Sequence, residues 1–139
     1  NIDLKVICAN NMIYGMTGGQ VASTTPKGAR TATTGEGNPY QPFNLSRLVE
    51  AAGATYVAKY SVTQPVALIR SIKKAIQHVG FSFIEVLSPC PTQYGRRNRI
   101  DRPEEMIRDL LQRCILEEEA KGLTEEELAE RIITGEFVA

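Results

Sequence analysis

The chain has 139 residues, a size that fits one domain. Its 16 Lys and Arg balance its 16 Asp and Glu, which removes the global electrostatic case for nucleic-acid binding. No apolar run approaches the ~20 residues of a membrane span, so no membrane partner is expected. Three cysteines without secreted-type spacing argue against a disulfide framework and for a reducing, cytoplasmic setting.

In chain order, Asp3 to Ala9 is apolar and β-branched, the pattern of a parallel strand buried on both faces. It runs into Asn10-Asn11-Met12-Ile13-Tyr14-Gly15-Met16-Thr17-Gly18-Gly19-Gln20. Two asparagines and a glycine-rich turn at the carboxyl end of a strand lie where open α/β sheets bind ligands. Asparagine and carbonyl oxygens are hard, neutral donors that suit Mg²⁺, and glycine N–H groups suit phosphate, so the stretch suggests a metal-bound diphosphate. A polar turn after a buried strand is the plainer reading of Asn-Asn alone.

Val21 to Gln41 is rich in Thr, Gly, Pro and Ser and has no periodicity, so it reads as a long loop. Loops beyond about 12–15 residues are usually functional or disordered, and this one is placed to cover a site or meet another subunit. Asn44 can cap a helix carrying Leu45, Leu48, Val49 and Ala52 on one face and ending at Gly53. Thr55 to Tyr60 reads as a second strand. Pro65 to Val79 reads as a second helix with Val66, Ile69, Ile72, Ile76 and Val79 as its buried stripe, and His78 in its last turn. Ser82 to Leu87 is the third strand. Three strands are few beside the ~4–6 typical of sheets, so further strands are expected upstream or in a partner.

After Ser88-Pro89-Cys90-Pro91, Arg96, Arg97, Arg99 and Arg102 crowd one loop, which could pair with carboxylates, phosphates or a partner surface. Pro103 opens a helix bearing Met106, Ile107, Leu110, Leu111 and Cys114. Gly122 interrupts it, and Thr124 with Glu127 restarts a last helix in a capping box, with Leu128, Ile132 and Ile133 on its apolar side. Cys8 and Cys114 read as packing residues. The expected division is therefore 1–101, an α/β unit of β-α-β-α-β order, and 102–139, a helical C-terminal extension.

The string Asn10 to Gln20, with Thr24-Thr25-Pro26-Lys27-Gly28, Gly80 to Val86, Ser88 to Thr92 and Gly95 to Asn98, closely resembles the β subunit of 2-oxoacid:ferredoxin oxidoreductases. The resemblance covers nearly the whole chain and implies the C-terminal portion of that subunit, with the parallel sheet of a thiamine-diphosphate-binding fold. It implies that Asn11 and the main chain of Ile13 ligate Mg²⁺, that Asn10 orients the loop, and that Tyr14, Gly15, Met16 and Thr17 border the diphosphate and the 2-oxoacid. It also makes Cys90 one of four ligands to a [4Fe–4S] cluster, the other three lying outside this chain. The family's Gly-Asp-Gly, whose aspartate completes the metal site, is absent from this sequence, so weak or no cofactor binding by this chain alone is expected. Gly18 stands where several members carry a lysine, which leaves the substrate open.

The implied activity is oxidative decarboxylation of a 2-oxoacid, foremost 2-oxoglutarate, to acyl-CoA and CO₂, with electrons passed to ferredoxin. The implied partners are the α subunit, further small subunits, ferredoxin, the 2-oxoacid and CoA. No catalytic residue is assigned on this chain. The alternatives are a non-redox thiamine-dependent decarboxylase or synthase, which has no use for a cluster ligand at Cys90, and a non-catalytic structural fragment of an assembly.

Overall fold

A computed structural model describes residues 1–100 and 102–139. In chain order the elements are β1 (Lys5–Asn10), α1 (Leu45–Ala51), β2 (Tyr56–Ser61), α2 (Pro65–Gln77), β3 (Ser82–Leu87), a π-helical turn (Pro91–Gly95), α3 (Pro103–Arg113), β4 (Cys114–Leu116), α4 (Glu117–Ala120), α5 (Glu125–Ala129) and β5 (Ile132–Val138). The five strands form one sheet in the order β1-β3-β2-β5-β4. β3 pairs in parallel with β1 on one side and β2 on the other, and β5 joins β2 antiparallel.

Alternation along the strands sends side chains to two cores. Tyr56, Ala58, Tyr60 and Ile84 face α2, whereas Val57 and Phe83 face α1 with Val6, Leu45 and Val49. Asn44 caps α1 by accepting from the Arg47 N–H at 3.2 Å. The phenol of Tyr56, pushed up to about 12 by burial, meets the Ser71 hydroxyl at 2.8 Å and so keeps its polar end satisfied within the α2 interface.

Four expectations need correction. First, α2 does not bury the stripe expected of it. Ile72 faces the sheet, with Ala67, Leu68, Ser71 and Ala75, but Val66, Ile69, Ile76 and Val79 are exposed. Small residues every fourth position let the helix approach the sheet closely, and that fit outweighs the size of the apolar side chains on the other side. Second, β1 is an edge strand and is not covered on both faces. Ile7, on the face that holds Ile84, is 55% exposed because α2 lies over β2 and β3.

Third, the helix begun at Pro103 ends at Arg113, with Cys114 opening β4 well before Gly122; the last helix stops at Ala129, and Ile132 and Ile133 belong to β5. The β-branched and aromatic residues of Ile132-Ile133-Thr134-Gly135-Glu136-Phe137-Val138 favour a strand, and the open edge of β2 supplies its partner. Fourth, two of the additional strands come from within the chain, so the C-terminal third is helical only in α3, α4 and α5 and also extends the sheet. The boundary expected after residue 101 falls at a position outside the described residues. The capping box of Thr124 and Glu127 forms as expected, with the Thr124 N–H donating to Glu127 Oε2 at 2.8 Å.

The core beneath α2 and the outer face of α2 make a direct test. Ile84→Ala removes a residue that is 1% exposed and should cost about 2–5 kcal/mol in urea denaturation. Ile76→Ala, at 66% exposure, should stay within about 0.5 kcal/mol in this same chain.

Candidate functional site

The parallel register sets Asn10 opposite Leu87, so the segments following β1 and β3 leave the sheet side by side. The backbone ladder continues past the strand ends, where the Ser88 N–H donates to the Asn10 carbonyl at 3.0 Å. One residue on, the Asn11 amide Nδ2 donates to the Ser88 carbonyl at 2.6 Å. Beyond this crossing the first segment lines a cavity of about 370 Å³, from Cys8 to Thr17 on one side and Ala22, Ser23, Thr24 and Leu45 on the other.

Asn10 is buried and makes three hydrogen bonds with its side chain. Nδ2 donates to Glu85 Oε1 at 2.6 Å, while Oδ1 accepts from the Met12 N–H at 2.9 Å and from Thr24 Oγ1 at 2.8 Å. Met12 has φ 60°, a left-handed backbone that costs a residue with a Cβ on the order of 1–3 kcal/mol. The bond from Asn10 across two residues holds that turn. The Met12 carbonyl in turn accepts from Thr25 Oγ1 at 2.8 Å.

With Nδ2 of Asn11 committed to Ser88, its Oδ1 accepts no hydrogen bond among the described residues, and the same holds for the Ile13 carbonyl. Both residues line the cavity. Two neutral oxygens beside this open cleft match the hard donor set that Mg²⁺ takes when phosphate oxygens complete its shell. They carry no charge to offset the metal, so this chain fits part of such a site. Tyr14, Gly15, Met16 and Thr17 complete that side of the cavity; Tyr14 is 56% exposed and Met16 wholly exposed.

The turn is closed by the Gly19 N–H donating to the Tyr14 carbonyl at 2.8 Å and by the Tyr14 N–H donating to the Gln20 carbonyl at 3.0 Å. Gly19 has φ 90°, and a Cβ there would meet Arg97 Nε and Gln93 Oε1, each at 2.8 Å. Arg97 also donates to the Gly18 carbonyl at 3.1 Å. Arg97 therefore braces the glycine turn, and it is exposed like Arg96, Arg99 and Arg102. Asn98 grips the long loop at both backbone groups of one residue, accepting from the Arg30 N–H at 2.8 Å and donating to the Arg30 carbonyl at 3.1 Å.

That loop has neither helix nor strand from Val21 to Phe43, apart from its start at the small Tyr14–Gln20 bridge, yet it is tightly bonded. Thr25 and Asn38 are buried, and Asn38 Nδ2 donates to the Thr25 carbonyl at 2.8 Å. Ala32 N–H reaches back to the Gly19 carbonyl at 2.7 Å. The segment is folded over the glycine turn and walls the cavity through Thr24.

Cys90 lies against the same turn: a Cβ on Gly15 would come 3.3 Å from its Sγ. The sulfur accepts from the Gln93 N–H at 3.4 Å at the start of the π-helical turn. Among the described residues no group of three or more His, Cys, Asp or Glu could hold a metal, so Cys90 can supply one ligand to a cluster and no more. Cys8 lines the same cavity from β1, and Cys114 lies on β4. Burial pushes both thiols up, with the Glu85 charge adding to the effect at Cys8, which suits packing residues. His78 bonds Thr55 Oγ1 at 2.8 Å beside the Tyr56 ring and stands apart from the cavity.

Sequence reading missed the support beneath Asn10. Glu85 is 2% exposed and lies in register with Cys8 on β1 and Lys59 on β2. Its Oε2 is 3.4 Å from Lys59 Nζ and 3.5 Å from Ser46 Oγ. The signal was present as two opposite charges inside apolar strands at matching positions, which parallel pairing sets side by side. Losing either partner leaves an uncompensated buried charge, worth about 3–5 kcal/mol. For the turn itself, Gly19→Ala meets both the positive φ and the Arg97 contact. It should lower the urea midpoint by the equivalent of about 1–3 kcal/mol and speed proteolysis between Gly18 and Arg30, with Gly122→Ala, at an open position, as the control.

Residues 1–86 match the family described as thiamine pyrophosphate enzyme, C-terminal TPP binding domain. The chain is 51% identical over 138 residues to 2-oxoglutarate synthase subunit KorB of Methanocaldococcus jannaschii, covering 99% of this chain and 51% of that protein. It is 40% identical over 92 residues to the 2-oxoacid:ferredoxin oxidoreductase subunit beta of Saccharolobus solfataricus, covering 66% of this chain and 30% of the relative. Among solved structures, a 2-oxoglutarate:ferredoxin oxidoreductase from Magnetococcus marinus, with 2-oxoglutarate, coenzyme A and succinyl-CoA bound, superposes with a TM-score of 0.77 at 27% identity, covering 99% of this chain and 47% of that one. The chain spans about half the length of the first curated relatives it matches. It belongs to the family of thiamine pyrophosphate enzymes, as a C-terminal TPP-binding domain.

Proposed function

We propose that this domain forms the diphosphate-binding wall of a 2-oxoacid:ferredoxin oxidoreductase β subunit that acts on 2-oxoglutarate. The observation that carries the reading is the convergence of Asn11, Ile13 and Cys90 on one turn. Asn11 and Ile13, whose Oδ1 and carbonyl oxygen accept no hydrogen bond among the described residues, both line the cavity, and Cys90 lies against the same loop at Gly15. A site for a metal-bound diphosphate and a thiolate thereby share a few residues of chain, which suits a reaction that couples decarboxylation to electron removal. The relatives named for 2-oxoglutarate synthase support the choice of 2-oxoacid.

In this reading Asn11 Oδ1 and the Ile13 carbonyl hold Mg²⁺, and an anionic ligand comes from outside this chain. Asn10 fixes the loop, and the backbone of Gly15 to Thr17 borders the diphosphate. Thiamine diphosphate, when bound, supplies the electron sink for decarboxylation, and the protein supplies position and electrostatics. Cys90 is one of four thiolate ligands to a [4Fe–4S] cluster completed elsewhere. The exposed Arg96, Arg99 and Arg102 offer charge to an acidic electron carrier, to CoA phosphates or to a companion subunit, and Arg97 is occupied in bracing the turn. A non-redox thiamine enzyme would leave the placement of Cys90 without a use.

Calorimetric titration with Mg²⁺ and thiamine diphosphate tests the assignment. The complete assembled enzyme should bind, this chain alone should show no submicromolar binding, and Asn11→Ala in the assembly should weaken binding by about 10–100-fold. Tight binding to the isolated chain, or an unaffected Asn11→Ala enzyme, contradicts the reading.

A further inference from the structure

We propose that Glu85 is a positioning residue for the diphosphate-binding loop and acts through the side-chain amide of Asn10. The proposal rests on the reading of that loop as the cofactor wall. A carboxylate in the interior of a sheet is costly unless paired, and a paired one is often no better for stability than an apolar residue of similar size. Its position therefore calls for something besides stability, and its two oxygens divide their work. Oε2 faces Lys59 and Ser46 on β2 and α1, which anchors the group to the rigid part of the domain. Oε1 accepts the short 2.6 Å bond from Asn10.

An ionised carboxylate only accepts, so it admits one orientation of the Asn10 amide, with Nδ2 inward. Oδ1 is then turned outward, where it receives the Met12 N–H and the Thr24 hydroxyl. The first bond secures the left-handed residue that directs Asn11 and Ile13 along the cavity. The second ties the long loop to the opposite wall. One buried charge thus sets both sides of the cleft without lining it. A glutamine at position 85 has the same shape but offers both a donor and an acceptor, so its own preference between the two orientations of Asn10 is lost and the choice is left to the Met12 N–H.

The test uses the complete assembled enzyme and reads the dissociation constant of Mg²⁺–thiamine diphosphate by calorimetry for wild type, Glu85→Gln, Asn10→Ala and the double variant. Glu85→Gln should weaken binding about tenfold or more. In the Asn10→Ala background the same change should add less than about twofold, because the route through Asn10 is already lost. A general loss of structure would instead persist in both backgrounds. If Glu85→Gln does not assemble, Lys59→Met with Glu85→Gln removes both charges together and carries the same expectation. Wild-type binding with an unaffected glutamine variant overturns the role of Glu85 and leaves the cofactor reading standing; losses that multiply in the double variant do likewise. Wild type that fails to bind overturns both.

Discussion

The parallel register between β1 and β3 is the constraint on which the site depends. Because Asn10 stands opposite Leu87, the loop after β1 and the turn after β3 emerge together at the carboxyl ends of adjacent strands. The amide bond from Asn11 to the Ser88 carbonyl then locks them at the point of exit. A slip of one residue would turn Asn10 away from Glu85 and send Val6 and Cys8 out of the α1-side core. Packing of Val6 and Cys8 of β1 against Val57 and Phe83 fixes that register, so core packing and site geometry have the same origin.

From that crossing the site is built in layers. Glu85, Lys59 and Ser46 form a charged floor inside the sheet, Asn10 rests on it, and the cavity-lining turn rests on Asn10. Arg97, Gln93 and Asn98 hold the turn and the long loop from the side of the π-helical segment. Cys90 begins that segment and touches Gly15, so a change at either the loop or the cysteine is felt by the other. The domain presents a preorganised half-site whose two unpaired oxygens, on Asn11 and Ile13, are neutral. The edge of β1, with Ile7 uncovered, and the apolar outer face of α2 are left exposed.

Much of this was legible in the residues. The strand at Ser82 to Leu87 and the helix starts at Asn44 and Pro65 have local causes: a β-branched run, a capping side chain and a proline at a first turn. The site loop announced itself through Asn10-Asn11 and the glycines, which combine donor chemistry with turn chemistry. Periodicity failed where the partner surface decides. α2 carries two apolar faces, and the one with small side chains faces the sheet because β2 and β3 present Tyr56, Tyr60 and Ile84. Ile132 to Val138 had enough apolar residues for a helix, but the available edge of β2 lies far from it in sequence. The Glu85–Lys59 pair depends on strand register, a nonlocal property that spacing along the chain does not display.

The most direct measurement is anomalous X-ray diffraction from crystals of the complete enzyme soaked with Mn²⁺ and thiamine diphosphate. Mn²⁺ takes the oxygen donors that suit Mg²⁺ and marks its own position. The account predicts a metal peak within coordination distance, about 2.1–2.2 Å, of both Asn11 Oδ1 and the Ile13 carbonyl oxygen. A peak that touches neither oxygen would contradict it.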